Sequence, residues 1–200
     1  MSNIVTAKVS IKGTRPLLWH RFGPESIPLE KKERTGVAGN DPQEWQRTVL
    51  HTKEGQLYLE PSYVFGTMRD AAKYTKSGRY LIQKYLVATL QVEDDRVLVD
   101  RWIPNFNDGA PTELTQDPDE PVYLDVRGVR NPTNRARNVR YRVATSTGWQ
   151  TTFTLLWDCT IVSREQMEAV AIDAGRLVGL GDGRSIGFGR FELVEFVMGE

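Results

Sequence analysis

The stretch from Ser163 to Val197 constrains the fold most. Ser163 with Gln166 three residues on forms a capping box, the signature of a helix start. Met167, Val170, Ala171, Ala174, Leu177 and Val178 then recur on one helical face. Gly179 supplies a C-terminal stop. The glycine-rich run GLGDGRSIGFG follows, and Arg190 to Val197 reads as a closing strand. A capped amphipathic helix turned back into a strand needs a sheet to bury its apolar face, which makes the chain α+β.

The rest of the chain fits that class. IVTAKVSI, from Ile4 to Ile11, alternates apolar and polar residues and is rich in β-formers, so it is expected as a strand. Residues 22 to 54 read as a long insertion, mostly loop, with a short helix near Pro42 to Leu50. Gln56 to Glu60 is a short strand. Pro61 to Tyr74 is a helix with Ser62 as its expected N-cap and Val64, Phe65, Met68, Ala71 and Ala72 inward, resuming after Gly78 through Tyr85. Val97–Trp102, Val122–Val126, Val139–Ala144 and Thr151–Val162 are expected strands. With the insertions at about 22–54 and 104–142 removed, the order approximates βαββαβ, the ferredoxin-like (RRM-like) arrangement. The expectation is a single domain over residues 1–200.

The chain has 200 residues, a length that suits one domain with a real core. Its 40% hydrophobic and 26% charged content excludes a wholly disordered or fibrous chain. The lone Cys159 excludes an internal disulfide and a cysteine zinc site. No apolar leader or membrane-length apolar run occurs, so a cytoplasmic protein without membrane partners is expected. Metal ions and cofactors are not expected.

Lys plus Arg equals Asp plus Glu at 26 each, but the neutrality is a sum of opposed blocks. Residues 1–24 carry Lys8, Lys12, Arg15 and Arg21 and no acid. Residues 127–157 carry Arg127, Arg130, Arg135, Arg137, Arg140 and Arg142, again without an acid. Acids crowd residues 93–120. Arginines interleaved with Asn131, Asn134, Asn138 and Tyr141 suit phosphate contact and base stacking. The alternative is a solvated hairpin, or a basic patch that docks on an acidic one.

The glycine loop has two readings as well. One is a cradle of backbone N–H groups for phosphates; the other is a helix C-cap and tight turn packed under the sheet. It is neither a Walker loop nor a Rossmann fingerprint, because it follows a helix and precedes a strand.

Three segments together resemble the RAMP superfamily, the ferredoxin-like subunits of CRISPR effector complexes. LEPSYVFGTMRDAA is similar to the entry into that family's first helix, although Pro61 lacks the usual following glycine. GLGDGRSIGFGRFEL resembles its glycine-rich loop and last strand. VSIKGTRPLLWHRF resembles its first strand. Small RAMP-like proteins of phages and prophages share the pattern. The resemblance implies an RNA-binding, non-catalytic backbone subunit of an antiviral ribonucleoprotein. Its copies would assemble along a guide strand, beside other effector subunits, with an arginine-rich inserted hairpin as a thumb. Carried over, Ser62, Tyr63, Arg69, Gly181, Arg184 and Gly187 would contact a single-stranded RNA or DNA backbone. Lys12, Arg15, Arg21 and the six arginines from Arg127 to Arg142 complete the expected interface.

Two other functions stay open at this level. Some relatives cleave RNA, for which the candidate general base is His20; a lone histidine is more often structural. Acid-based cleavage would need a positioned carboxylate such as Asp70 or Asp182, the latter better read as a loop-capping acceptor. The third function is a phage structural or interaction protein. Trp149, Phe153 and Trp157 are expected on a buried sheet face rather than a stacking platform. Cys159 is expected as a small buried apolar residue, and Trp19 and Phe22 outside the core.

Overall fold

The structure, a computed structural model, describes residues 3–23, 41–78, 80–106, 113–130 and 137–199. Arg135, part of the expected interface, lies outside these residues. In chain order the elements are β1 (Ile4–Gly13), β2 (Leu17–Leu18), α1 (Glu44–Thr48), β3 (Gln56–Leu59), α2 (Pro61–Ala71), β4 (Lys76–Ser77) and β5 (Tyr80–Leu81). There follow α3 (Gln83–Thr89), β6 (Gln91–Val92), β7 (Val97–Trp102), β8 (Val122–Arg130), β9 (Arg137–Thr145), β10 (Gln150–Asp158), α4 (Arg164–Asp173) and β11 (Phe191–Met198). The fold is α+β with antiparallel sheets.

The chain divides into two compact units. Unit 1 comprises Met1–Leu17, Tyr58–Asp100 and Thr147–Glu200; unit 2 comprises Leu18–Leu57 and Arg101–Ser146.

Unit 1 carries the larger sheet, in the order β11-β1-β10-β7-β3, with β6 also on β10. In β1 the inward residues Ala7, Val9 and Ile11 are buried and alternate with Lys8, Ser10 and Lys12, as period-two strand geometry requires. Phe153, Leu155 and Trp157 of β10 are buried beside them. Trp149 and Trp157 are fully buried, each with its indole N–H satisfied: Trp149 donates to Arg15 O at 2.9 Å and Trp157 to Val162 O at 2.8 Å. The apolar helix faces that complete this core are Val64, Met68 and Ala71 of α2 and Met167, Val170 and Ala171 of α4.

Both halves of the capping box form: Gln166 N–H donates to Ser163 Oγ at 3.3 Å, and Ser163 N–H to Gln166 Oε1 at 2.9 Å. Beyond α4 the helix widens into a π turn over Ala174–Val178, with Gly179 N–H donating five residues back to Ala174 O. The extra residue rotates Leu177 off the apolar stripe, and it is 46% exposed, contrary to its expected inward place.

Four further expectations are corrected. The N-cap of α2 is the extended Glu60, not Ser62; Pro61 opens the helix because its fixed φ and missing N–H suit the first helical position. The chain does not resume α2 after Gly78. Gly78, at φ +60°, lies in the turn between β4 and β5, and α3 starts afresh at Gln83. Cys159 is exposed, because β10 ends at Asp158 and the cysteine falls in the turn beyond it. Trp19 is buried in unit 2, whereas Phe22 is exposed.

Unit 2 carries the three-stranded sheet β2-β9-β8. β8 and β9 pair in register from Val122↔Thr145 to Arg130↔Arg137. Its apolar residues include Trp19, Trp45, Leu50, Ile103, Val122 and Val143, all buried.

Candidate nucleic-acid interface

In unit 2 the β8/β9 register decides which charges meet. Asp125 lies directly across from Arg142, Arg127 across from Arg140, and Arg130 across from Arg137. Because side chains alternate between faces, the first two pairs share one face and Arg130/Arg137 lie on the other. On the first face Asp125 holds two guanidinium groups. Arg127 Nε donates to both its oxygens, at 2.8 and 2.9 Å, and Arg127 Nη2 donates to Oδ1 as well. Arg142 Nη2 donates to Oδ2 at 2.9 Å. Asp125 and Arg142 are each only 4% exposed at the side chain, so Arg142 lies inside the fold and is not turned to a solvent phosphate, unlike the expectation for it.

Glu44 of α1 neutralises the next rung. Its Oε1 accepts from Arg140 Nη1 and lies 3.2 Å from His20 Nε2, while Oε2 accepts the Tyr141 backbone N–H at 3.3 Å. His20, Glu44 and Arg140 therefore form one cluster. Glu44 is separated from Arg140 by 96 residues, and no local pattern announces it. Arg130 and Arg137 are exposed, and Arg21 is half-buried with its N–H donating to Thr48 O at 2.8 Å.

Unit 1 brings together Arg69, Lys73 and Arg184 around Asp70. Arg69 Nε and Lys73 Nζ donate to Oδ1 at 3.2 and 3.0 Å; Arg184 Nη1 lies 3.4 Å from Oδ2. Three cations share one carboxylate. Partial burial works to raise the Asp70 pKa, but the hydrogen bonds from Lys73 and Arg69 outweigh it and hold the carboxyl below its ordinary value. A depressed carboxylate contributes stability above the unfolded-state pKa, about 4, and loses it as pH falls through the folded value. Asp70→Asn is therefore expected to be less stable than the parent at pH 7. That gap should close below about pH 4, which denaturant melts across pH would measure.

The glycine loop is tied to this cluster. Thr67 Oγ1 of α2 donates to Gly179 O at 2.9 Å. Leu180 N–H donates to Gly189 O at 2.9 Å and Gly189 N–H to Pro16 O at 2.7 Å. A Cβ on Gly189 would lie 1.8 Å from Leu180 O, at a φ of +68°, so only glycine fits this crossing. The amides of Gly179, Leu180, Ile186, Gly187, Phe188 and Gly189 all donate within the chain. Such a loop is built as a structural closure; it exposes Ser185 and Ile186, while Arg184 is half-buried beside Asp70. Gly181 is buried, and Gly187, at φ +94°, has open space where a Cβ would stand.

The remaining expected residues are dispersed. Lys12 is exposed on β1 across from Glu192. Arg15 borders a groove of about 900 Å³ whose lining mixes Arg176 and Arg190 with Glu168, Glu192 and Glu195, so that groove has no single sign. Ser62 is exposed and Tyr63 half-buried in the first turn of α2. Among the described residues no group of three His, Cys, Asp or Glu side chains is placed to hold a metal ion, and no helix is long and apolar enough to cross a membrane.

No family model and no curated protein matches the chain. Among solved structures it is similar to a chain in the cryo-electron-microscopy structure of type III-B Cmr-beta bound to cognate target RNA. The TM-score is 0.53 at 11% identity, over 98% of this chain and 60% of that one. The likeness is one of fold, and this chain spans less than two thirds of its neighbour.

Proposed function

We propose that the protein is a RAMP-like subunit that binds single-stranded RNA through phosphate contacts, within a CRISPR-type ribonucleoprotein. The observation that carries this reading is the β8/β9 hairpin. Like charges directly across a ladder destabilise a sheet; Arg127 and Arg140 are held by Asp125 and Glu44, but the hairpin also sets exposed Arg130 against exposed Arg137 on its other face. An anionic strand laid on the hairpin offsets that repulsion, and arginine forks suit phosphate. Arg69 and Arg184 add a second basic point on unit 1, where three cations exceed one carboxylate.

The fold supports the same reading. β1, α2, β7, β10, α4 and β11 on this reading supply the βαββαβ order, and the sheet order β11-β1-β10-β7 supports a ferredoxin-like core. On this reading residues about 22–54 and 104–142 are insertions into one RAMP-like domain, and the hairpin is the thumb. The type III-B neighbour is bound to target RNA, which favours RNA over DNA. The protein works in the cytoplasm, its copies assemble along the strand beside other subunits, and base pairing by a guide supplies specificity.

Binding of labelled single-stranded RNA, measured against salt, tests the reading. Affinity should fall steeply between 50 and 200 mM salt, as expected of an interface with several phosphate contacts. The purified protein should form an oligomer ladder with a raised 260/280 absorbance ratio. Absence of binding at low salt would overturn the proposal and leave the structural or interaction role.

A second reading rests on the His20–Glu44 contact at 3.2 Å, since a carboxylate that orients a histidine is one element of a general base. RNA cleavage lost in His20→Ala, with binding intact, would establish it. Equal behaviour of variant and parent would remove it.

A further inference from the structure

Of the segment that follows α2, only Lys73 belongs to the interface described above, through its contact with Asp70. Residues 71–92 contain Lys73, Lys76, Lys84 and three tyrosines but neither aspartate nor glutamate, in a chain with as many acids as bases. Tyr74 is 58% exposed, Tyr80 71% and Tyr85 43%. Single exposed apolar residues are ordinary; three exposed aromatic rings interleaved with lysines within twelve residues are not. Lys84 Nζ lies 4.7 Å from the centre of the Tyr85 ring, setting a cation beside an aromatic face.

The surface is held in place. Thr75 Oγ1 donates to Asp173 Oδ2 at 2.7 Å. Ile82 and Leu86 are buried in unit 1 and anchor α3, and Gln83 Nε2 donates to Arg69 O at 3.2 Å. The rings are therefore carried by a short hairpin and a helix pinned on both sides, so little ordering entropy remains to be lost on binding.

We infer that Tyr74, Tyr80 and Tyr85, with Lys73, Lys76 and Lys84, form a second single-strand surface on which unpaired bases stack while the lysines meet phosphates. Charge complementarity selects the occupant: the segment carries lysines and no acid of its own, and although Asp70 pairs with Lys73 the balance stays positive, which favours a polyanion, while aromatic faces accept any base without reading its edges. Paired bases are already stacked on their neighbours, so a duplex gains little here. The inference rests on the proposed nucleic-acid function but not on the hairpin, since all six residues belong to unit 1.

Fluorescence anisotropy of the full chain with labelled oligo-U, oligo-dT and a duplex of equal length tests it. Tyr80→Ala is expected to weaken binding of both single strands roughly tenfold, as does loss of one stacked base elsewhere, while leaving the duplex unchanged. Tyr80→Phe keeps the ring and should bind as the parent. The Tyr74→Ala/Tyr80→Ala pair should lose more, at an unaltered melting temperature. If that double variant is folded and binds single strands like the parent, the inference is overturned. It is also overturned if the only change is in self-association by sedimentation, which would make the patch a protein contact. Failure of the parent to bind any strand at low salt would instead overturn the proposed function itself.

Discussion

Asp125→Ala is expected to destabilise the protein by about 3–5 kcal/mol, the usual result of breaking a buried ion pair by removing one partner. The side chains of Asp125 and Arg142 are both 4% exposed, and the carboxylate also takes Arg127 in a forked contact. Its removal leaves the Arg142 charge inside unit 2 without its carboxylate and two guanidinium groups near each other. Burial, rather than the number of hydrogen bonds, sets the size of the effect. Converting both partners, Asp125→Ala with Arg142→Met, should recover much of the loss, because replacing a buried pair with apolar groups is often neutral. Denaturant unfolding of the two variants measures both effects. A loss below about 1 kcal/mol for Asp125→Ala would place the pair in the surface class, where ion pairs contribute little.

The Arg130→Ala/Arg137→Ala pair separates binding from stability. These residues face each other at the last described rung of β8/β9 and are exposed. If each meets one phosphate, the slope of log K against log salt on a single strand should shrink by about 1.4, since each neutralised phosphate contributes about 0.7. Affinity should fall with it. The same substitutions relieve a like-charge cross-strand pair, so stability should hold or rise by roughly 0.2–1 kcal/mol. Weaker binding in a protein of equal or greater stability is a combination that general damage cannot produce. An unchanged salt slope would remove the hairpin from the interface.

Much of the frame was legible without coordinates. The α4 capping box, the alternation in β1, the buried aromatic face of β10 and the stop at Gly179 depend on neighbours within a few residues. The glycine loop was not settled there: its glycines permit positive φ in a phosphate cradle and in a structural turn alike. The errors arose where a distant partner or a small change of helical pitch intervened. Ser62 is not the cap because Pro61 opens the helix and leaves Glu60 as N-cap, and Leu177 left the apolar stripe because a π turn displaced it. Cys159 was exposed by a strand one residue too short to carry it.

The charge argument divides in the same way. Residue order alone established that the basic blocks are free of acids in sequence, and that the acids concentrate elsewhere. It could not say which arginines remain available. Glu44 reaches Arg140 across 96 residues, and Asp70 reaches Arg184 across 114. Arg142, one of six arginines between residues 127 and 142, became a buried structural cation because strand register put Asp125 across from it. Local backbone preferences act over three or four residues and are written in the sequence. Electrostatic neutralisation acts over a few ångströms of space, and only the tertiary fold decides which charges come that close.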